Sequence, residues 1–141
     1  MLNQRNSKKQ GDVGLGIAIG WFTSKGYCVN VPLSDSQEYD LVVDIEGKLN
    51  KVQIKTTTAK TESGKYKAGW RTGGGNQSFI TSKLFNPQIV DYLFILTAEG
   101  TKYFIPCVEI INESSITLGK KYDKYIVDYN CDKGWQAWEP V

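Results

Sequence analysis

With 141 residues the chain is long enough for one domain with its own core and no covalent staples, and 40% hydrophobic against 23% charged residues is the balance of a soluble globular protein. It contains no histidine, which removes Ser-His-Asp and Cys-His catalysis and every histidine-ligated metal site, and its 3 cysteines show no CxxC spacing that would mark a zinc site or a disulfide framework. The net charge of +2 is too small to mark a nucleic-acid binder by itself, but Lys51, Lys55, Lys60, Lys65, Lys67 and Arg71 lie between Lys48 and Lys83 against Glu62 alone.

Residues 1–10 are polar and basic and read as a flexible arm, with Lys8 and Lys9 suited to phosphate contacts. No apolar run approaches the ~20 residues that span a bilayer, and Met1 is followed by polar residues rather than a signal segment, so no membrane and a cytoplasmic address are expected. From Asp12 to Lys25, Val13, Ile17 and Trp21 recur at helical spacing beside Ala18 and Phe22, with Asp12 as N-cap and Lys25-Gly26 as the stop. Gly14, Gly16 and Gly20 are each about 1 kcal/mol worse than alanine in a helix, which points to close approach to a sheet or to DNA. Tyr27 to Val31 reads as a strand ended by Pro32.

The stretch from Tyr39 to Lys55 reads as a hairpin about Glu46-Gly47. A two-residue turn sets Ile45 opposite Lys48 and Asp40 opposite Gln53, whereas a four-residue loop would bring Asp40 opposite Lys55. Either even loop leaves the faces unchanged: Leu41, Val43 and Ile45 with Val52 and Ile54 on an apolar one, Asp40, Val42 and Asp44 with Lys51, Gln53 and Lys55 on a polar one. Asp44, farther down the hairpin, is expected to pair with Lys51.

Residues 60–85 form a basic insertion with interleaved aromatics and a Gly73-Gly74-Gly75 break, suited to tracking a phosphate backbone through Lys60, Lys65, Lys67, Trp70, Arg71 and Lys83. The alternative is a surface hairpin with a glycine tip. Farther on, Tyr92 to Thr97 and Lys102 to Ile105 read as paired strands, Val108 to Ile111 as a short helix or edge strand, and Tyr125-Ile126-Val127 as a last strand. Trp135 and Trp138 would seal the core or meet a second subunit.

Helix, strand, a strand opening on Asp40, and a strand carrying Gln53-Ile54-Lys55 resemble the PD-(D/E)xK nuclease core, with Gln53 in place of the usual acid. Gly11-Asp12-Val13-Gly14, Tyr39-Asp40-Leu41 and Val52-Gln53-Ile54-Lys55-Thr56 resemble the small branch that includes an intron-encoded homing endonuclease, and the likeness covers most of residues 8–125. It implies a single α/β (α+β) domain over residues 1–141, a restriction-endonuclease-like core with a mixed central sheet and flanking helices. It further implies an endonuclease that hydrolyses phosphodiesters of double-stranded or branched DNA with Mg²⁺, or Mn²⁺ in its place. Asp40 would be the anionic metal ligand, Gln53 a neutral one and the Ile54 carbonyl another, with Lys55 steadying the attacking water or the phosphorane charge. Many members place a glutamate on the first helix where this chain has Leu15, so Asp12 either substitutes or is only a cap.

One such site cuts one strand, so cleavage of a duplex implies a homodimer or homotetramer. Homing-type cleavage leads; a Holliday-junction or other structure-selective nuclease, and an inactive DNA-binding module on the same fold, are the alternatives.

Overall fold

The computed structural model describes residues 7–34, 36–69, 71–73, 80–82, 88–111 and 113–129. Helix α1 spans Ser7–Ser24 and leads into strands β1 (Cys28–Asn30), β2 (Leu41–Ile45) and β3 (Lys48–Thr57). Short strands β4 (Lys67–Gly69), β5 (Arg71–Gly73) and β6 (Ile80–Ser82) follow, then β7 (Tyr92–Thr97), β8 (Lys102–Pro106), β9 (Ser115–Thr117) and β10 (Ile126–Asp128). Two 3-10 segments, Cys107–Ile110 and Lys120–Tyr125, flank β9.

The central sheet has the order β1-β2-β3-β7-β8-β10 and is mixed: β3 and β7 run parallel while the other neighbours are antiparallel. A parallel neighbour needs a long crossover, and residues between β3 and β7 supply β4, β5 and β6 on the way. β4 pairs with β9, and β5 with β6, in separate two-stranded sheets.

The β2–β3 turn has the two-residue form, with Ile45 opposite Lys48 and Leu41 opposite Val52. Glu46 (φ 53°) and Gly47 (φ 86°) both occupy the left-handed region, as a type I′ turn requires. Asp44 accepts a 2.9 Å hydrogen bond from the Gly47 N–H, so it closes this turn instead of pairing with Lys51. The Lys51 ammonium lies 5.9 Å from the Tyr39 ring centroid and donates to the Gln88 carbonyl.

Helix α1 is longer than expected. It takes in Ser7 to Gln10 of the expected arm, and Asp12 is an exposed position within the helix rather than its N-cap. Its buried stripe is Gly14, Ala18 and Phe22, four residues apart, set on Leu41, Val43, Val52, Phe94 and Leu96. Phe22 and Phe94 meet at 5.4 Å between ring centroids, and Trp21 lies at 5.9 Å from Phe94, so this side of the sheet is closed by aromatic packing. The three helical glycines divide: a Cβ on Gly14 would overlap Thr56 Cγ2, whereas Gly16 and Gly20 have nothing within 4 Å.

The other face of the sheet is not the solvated polar surface that alternation in the hairpin suggests. Leu93, Ile95, Tyr103 and Ile105 face a second core formed with Ala68, Cys107, Ile110, Ile116, Leu118 and Tyr122. The β4–β9 pair and the 3-10 segments therefore cover it, in place of the second flanking helix. Thr57 fastens that cover to the sheet with a 2.5 Å bond from its hydroxyl to the Lys67 carbonyl. No helix among the described residues is long and apolar enough to cross a membrane.

Candidate active site

Strand β2 accompanies β3 only as far as Val52, while β7 follows β3 on its opposite side to Thr57. The last part of β3 therefore presents a backbone edge where β2 has not yet begun, and Asp40 stands at that point. Its N–H donates to the Val52 carbonyl at 2.8 Å, and its Oδ2 accepts from the Ile54 N–H at 2.7 Å. The main chain of Asp40 makes the last rung of the ladder and its carboxylate takes the next donor. A strand residue's N–H and C=O point to the same lateral side, so the Ile54 carbonyl is directed along the edge that Asp40 occupies.

Gln53 and Lys55 are half-buried and share the opposite face from Ile54, in register with Leu93 and Ile95 of β7. Two residues along a strand is about 7 Å, so amide and ammonium stand side by side at the margin of the second core. Burial pushes the Lys55 ammonium below the ordinary lysine range, and the charge of Asp40 opposes that shift. Burial likewise raises the Asp40 carboxyl, against the Ile54 N–H and the Lys55 charge. Each group thus feels the other's charge in a partly desolvated setting, where a Coulomb interaction is stronger than in water.

A cleft of about 400 Å³ opens beside Asp40, lined by Leu15 of α1 and by Val31, Pro32, Leu33, Ser34, Gln37 and Tyr39 of the β1–β2 connection. Asp12 lies three residues before Leu15, on an adjoining part of the helix surface. Among the described residues no three His, Cys, Asp or Glu side chains gather as a metal cluster.

Of the residues expected to contact DNA, Lys8 and Lys9 are exposed on the first turns of α1, and Lys65 and Lys67 are exposed at β4. Lys60 is engaged elsewhere, 3.4 Å from Glu99 Oε1 and 4.8 Å from the Tyr66 ring centroid. Trp70 and Lys83 lie outside the described residues, as do Trp135 and Trp138, and Arg71 is placed by its backbone alone. Asp91, which the sequence reads as the start of the Tyr92–Thr97 strand, has a role that reading did not include: its Oδ2 accepts from the Lys51 N–H at 2.8 Å while its own N–H donates to the Lys51 carbonyl. That clasp sets the start of β7 against β3 and hence the level of Gln53 and Lys55. An aspartate immediately before an apolar strand is the signal that could have found it.

The chain as a whole has counterparts among known proteins. Residues 5–130 match the PD-(D/E)XK endonuclease family. The chain belongs to that family. It is 35% identical over 101 residues to Protein 5.3 of Escherichia phage T7, covering 71% of this chain and 80% of the phage protein. Among solved structures it is similar to the bacterial homing endonuclease I-Ssp6803I, with a TM-score of 0.71 and 30% identity over 81% of this chain and 78% of that one. In this nuclease of the PD-(D/E)XK type, the mixed sheet and the α+β architecture are those the resemblance in the sequence implies.

Proposed function

We propose that the protein is a metal-dependent DNA endonuclease of the homing type, with Asp40, Gln53 and Lys55 as its catalytic residues. The observation that carries this reading is the Asp40 carboxylate, held by the Ile54 N–H at the bare edge of β3 and within the field of Lys55. The donor chemistry fits a hard divalent ion such as Mg²⁺, with Mn²⁺ as substitute: the Asp40 carboxylate, the Gln53 amide oxygen and the Ile54 carbonyl would hold it. When bound, such an ion neutralises charge on a phosphodiester and makes a bound water more nucleophilic.

Lys55 orients the attacking water by hydrogen bonding and offsets charge that develops on the phosphate, a task suited to a compact ammonium with a responsive pKa. The Ile54 N–H holds the Asp40 carboxylate in one orientation. With Asp40 as its one anionic ligand such an ion would be held weakly by the protein alone and more firmly with DNA present. Asp12, exposed on α1, would act through water. A homodimer or homotetramer supplies a second site for the second strand.

A second reading, a DNA-binding module without cleavage, draws on Leu15: an apolar side chain lines the cleft beside Asp40 where an acid would strengthen the metal site. Incubation with supercoiled plasmid, a long intron-insertion-site duplex and a four-way junction, each with Mg²⁺, Mn²⁺ or EDTA, separates these readings. Homing-type action predicts metal-dependent cutting of one duplex sequence; cutting of the junction alone makes it a structure-selective nuclease. Binding with no cleavage of any substrate in either metal supports the inactive module.

A further inference from the structure

The sequence places the positive charge in the middle of the chain, but the fold adds a group from far downstream. β4 and β9 are antiparallel partners, with Lys67 opposite Thr117, and the Leu118 N–H donates to the Tyr66 carbonyl at 2.8 Å. Gly119 follows at once, and the Lys65 ammonium lies 3.3 Å from the point where a Cβ of Gly119 would stand. The absent side chain leaves room for the Lys65 stem to cross the chain there. Immediately beyond, the 3-10 segment Lys120–Tyr125 carries Lys120, Lys121 and Lys124, all exposed. Lys121 and Lys124 lie 5.4 Å and 5.2 Å from the ring centroids of Tyr122 and Tyr125.

Five exposed ammonium groups thus stand on one layer: Lys65, Lys67, Lys120, Lys121 and Lys124. Among the described residues none of them forms an ion pair with a carboxylate, in contrast to Lys60, which meets Glu99. The acids nearest in the chain are Glu62 and Asp123; Asp123 exerts its charge on Tyr103, whose hydroxyl burial and then Asp123 push up. Like charges set together raise the energy of the free protein, and a polyanion relieves it. The layer is also anchored where such a partner must come, because the Lys67 carbonyl receives the Thr57 hydroxyl two residues beyond Lys55 on the same face of β3.

We infer that the outer side of the β4–β9 layer, extended by Lys120, Lys121 and Lys124, is a phosphate-backbone contact surface for the duplex DNA whose scissile phosphate lies at Asp40. This rests on the proposed nuclease reading and adds to it a set of residues that position DNA without contacting the reacting atoms. Their contribution is independent of sequence and sensitive to salt.

The test uses the full chain and a fluorescein-labelled 30-bp duplex of arbitrary sequence, with Kd measured by anisotropy between about 50 and 200 mM salt, the range over which phosphate contacts are felt. The triple variant Lys120→Gln, Lys121→Gln, Lys124→Gln keeps the stems that cover Tyr122 and Tyr125. It is expected to flatten the slope of log Kd against log salt by about 2 to 3, at roughly 0.9 for each phosphate left without its lysine. Lys65→Gln with Lys67→Gln flattens it by a further ~2, while Lys48→Gln, at the far hairpin turn, leaves it unchanged. Matching thermal melts show that each variant folds.

A triple variant with the wild-type slope overturns the inference and leaves the nuclease reading standing. A flattened slope in the variants, with no cleavage by the wild type in Mg²⁺ or Mn²⁺, sustains the surface and removes the nuclease reading. Wild-type protein that binds DNA with no salt dependence overturns the inference, while the nuclease reading is decided by cleavage alone.

Discussion

The two faces of the central sheet solve different problems. On the helix side, Phe22, Phe94, Leu41, Val43 and Val52 are 0% exposed and form an apolar cluster with Ala18 and Leu96. On the other side, β3 carries Gln53, Lys55 and Thr57 into the margin of a core covered by a short strand pair and two 3-10 segments. The helix face holds the sheet together; the thinner cover on the other face leaves Lys55 half-buried and partly desolvated beside the charge of Asp40. The helix reaches the sheet closely at Gly14, which fixes α1 against Thr56 and brings Leu15 to the cleft beside Asp40.

The largest effect that would break this contrast is on stability. Phe94→Ala removes a fully buried ring from the aromatic side and is expected to cost about 3–5 kcal/mol in urea unfolding. Ile116→Ala, in the covering strand pair and 4% exposed, is expected to cost less, about 2 kcal/mol. Equal losses would mean that both faces bear the fold alike.

Next come the helical glycines. Gly14→Ala forces a methyl onto Thr56 Cγ2 and is expected to cost about 1–3 kcal/mol, relieved in the double variant with Thr56→Ser. Gly16→Ala meets nothing and is expected to stabilise by up to ~1 kcal/mol. Chemical denaturation of the set measures whether α1 touches the sheet at one glycine or at several.

Asp40→Asn sharpens the functional side. The folded protein holds the Asp40 proton more tightly than the unfolded chain does, since burial raises its pKa above the ordinary 3.8. Below that value both states are protonated and the residue contributes nothing. As pH rises through the ordinary and then the folded value, ionisation costs the folded state more, so the full destabilisation is present at neutral pH. Asp40→Asn is expected to raise Tm modestly at neutral pH, with the gain vanishing in acid and cleavage lost throughout. The gain is small because Lys55 loses its partner charge. A Tm lower than wild type at neutral pH would contradict a raised Asp40 pKa.

The smallest effect concerns thiol access. Burial, then the charge of Asp91, pushes the Cys107 thiol up to about 12, whereas Cys28 is exposed. In a Cys131→Ser background, a disulfide reagent at mildly alkaline pH is expected to modify one thiol rapidly and the second only on unfolding. Rapid modification of both would show that the second core is open.

Much of this contrast is legible in the sequence, and the exceptions have physical causes. The Glu46-Gly47 turn fixes its own register because a two-residue hairpin tolerates few backbone conformations, and that register carries Asp40 to the edge of β3. Alternation assigns the two faces of the hairpin correctly but not the fate of the second. Whether a polar strand face is solvated depends on partners such as Ala68 and Ile116, which lie in strands of three residues too short to announce themselves. The start of α1 is misplaced in the sequence because Gly11 and Asp12 look like a boundary when local propensity is all that is weighed. Likewise Lys60 reads as free for DNA, since Glu99 is distant in sequence, and Lys120, Lys121 and Lys124 read as remote from the basic segment until β9 folds onto β4.

The central claim is that the polar side of β3 at the Asp40 edge performs phosphodiester cleavage. Single-turnover cleavage and DNA binding measured side by side for Lys55→Ala test it most directly. The variant is expected to lose about a thousandfold or more in cleavage rate, the scale of removing a charge-stabilising donor, while Kd for duplex DNA changes by no more than about threefold, the effect of one phosphate contact. Cleavage that persists in Lys55→Ala at near wild-type rate would contradict the account.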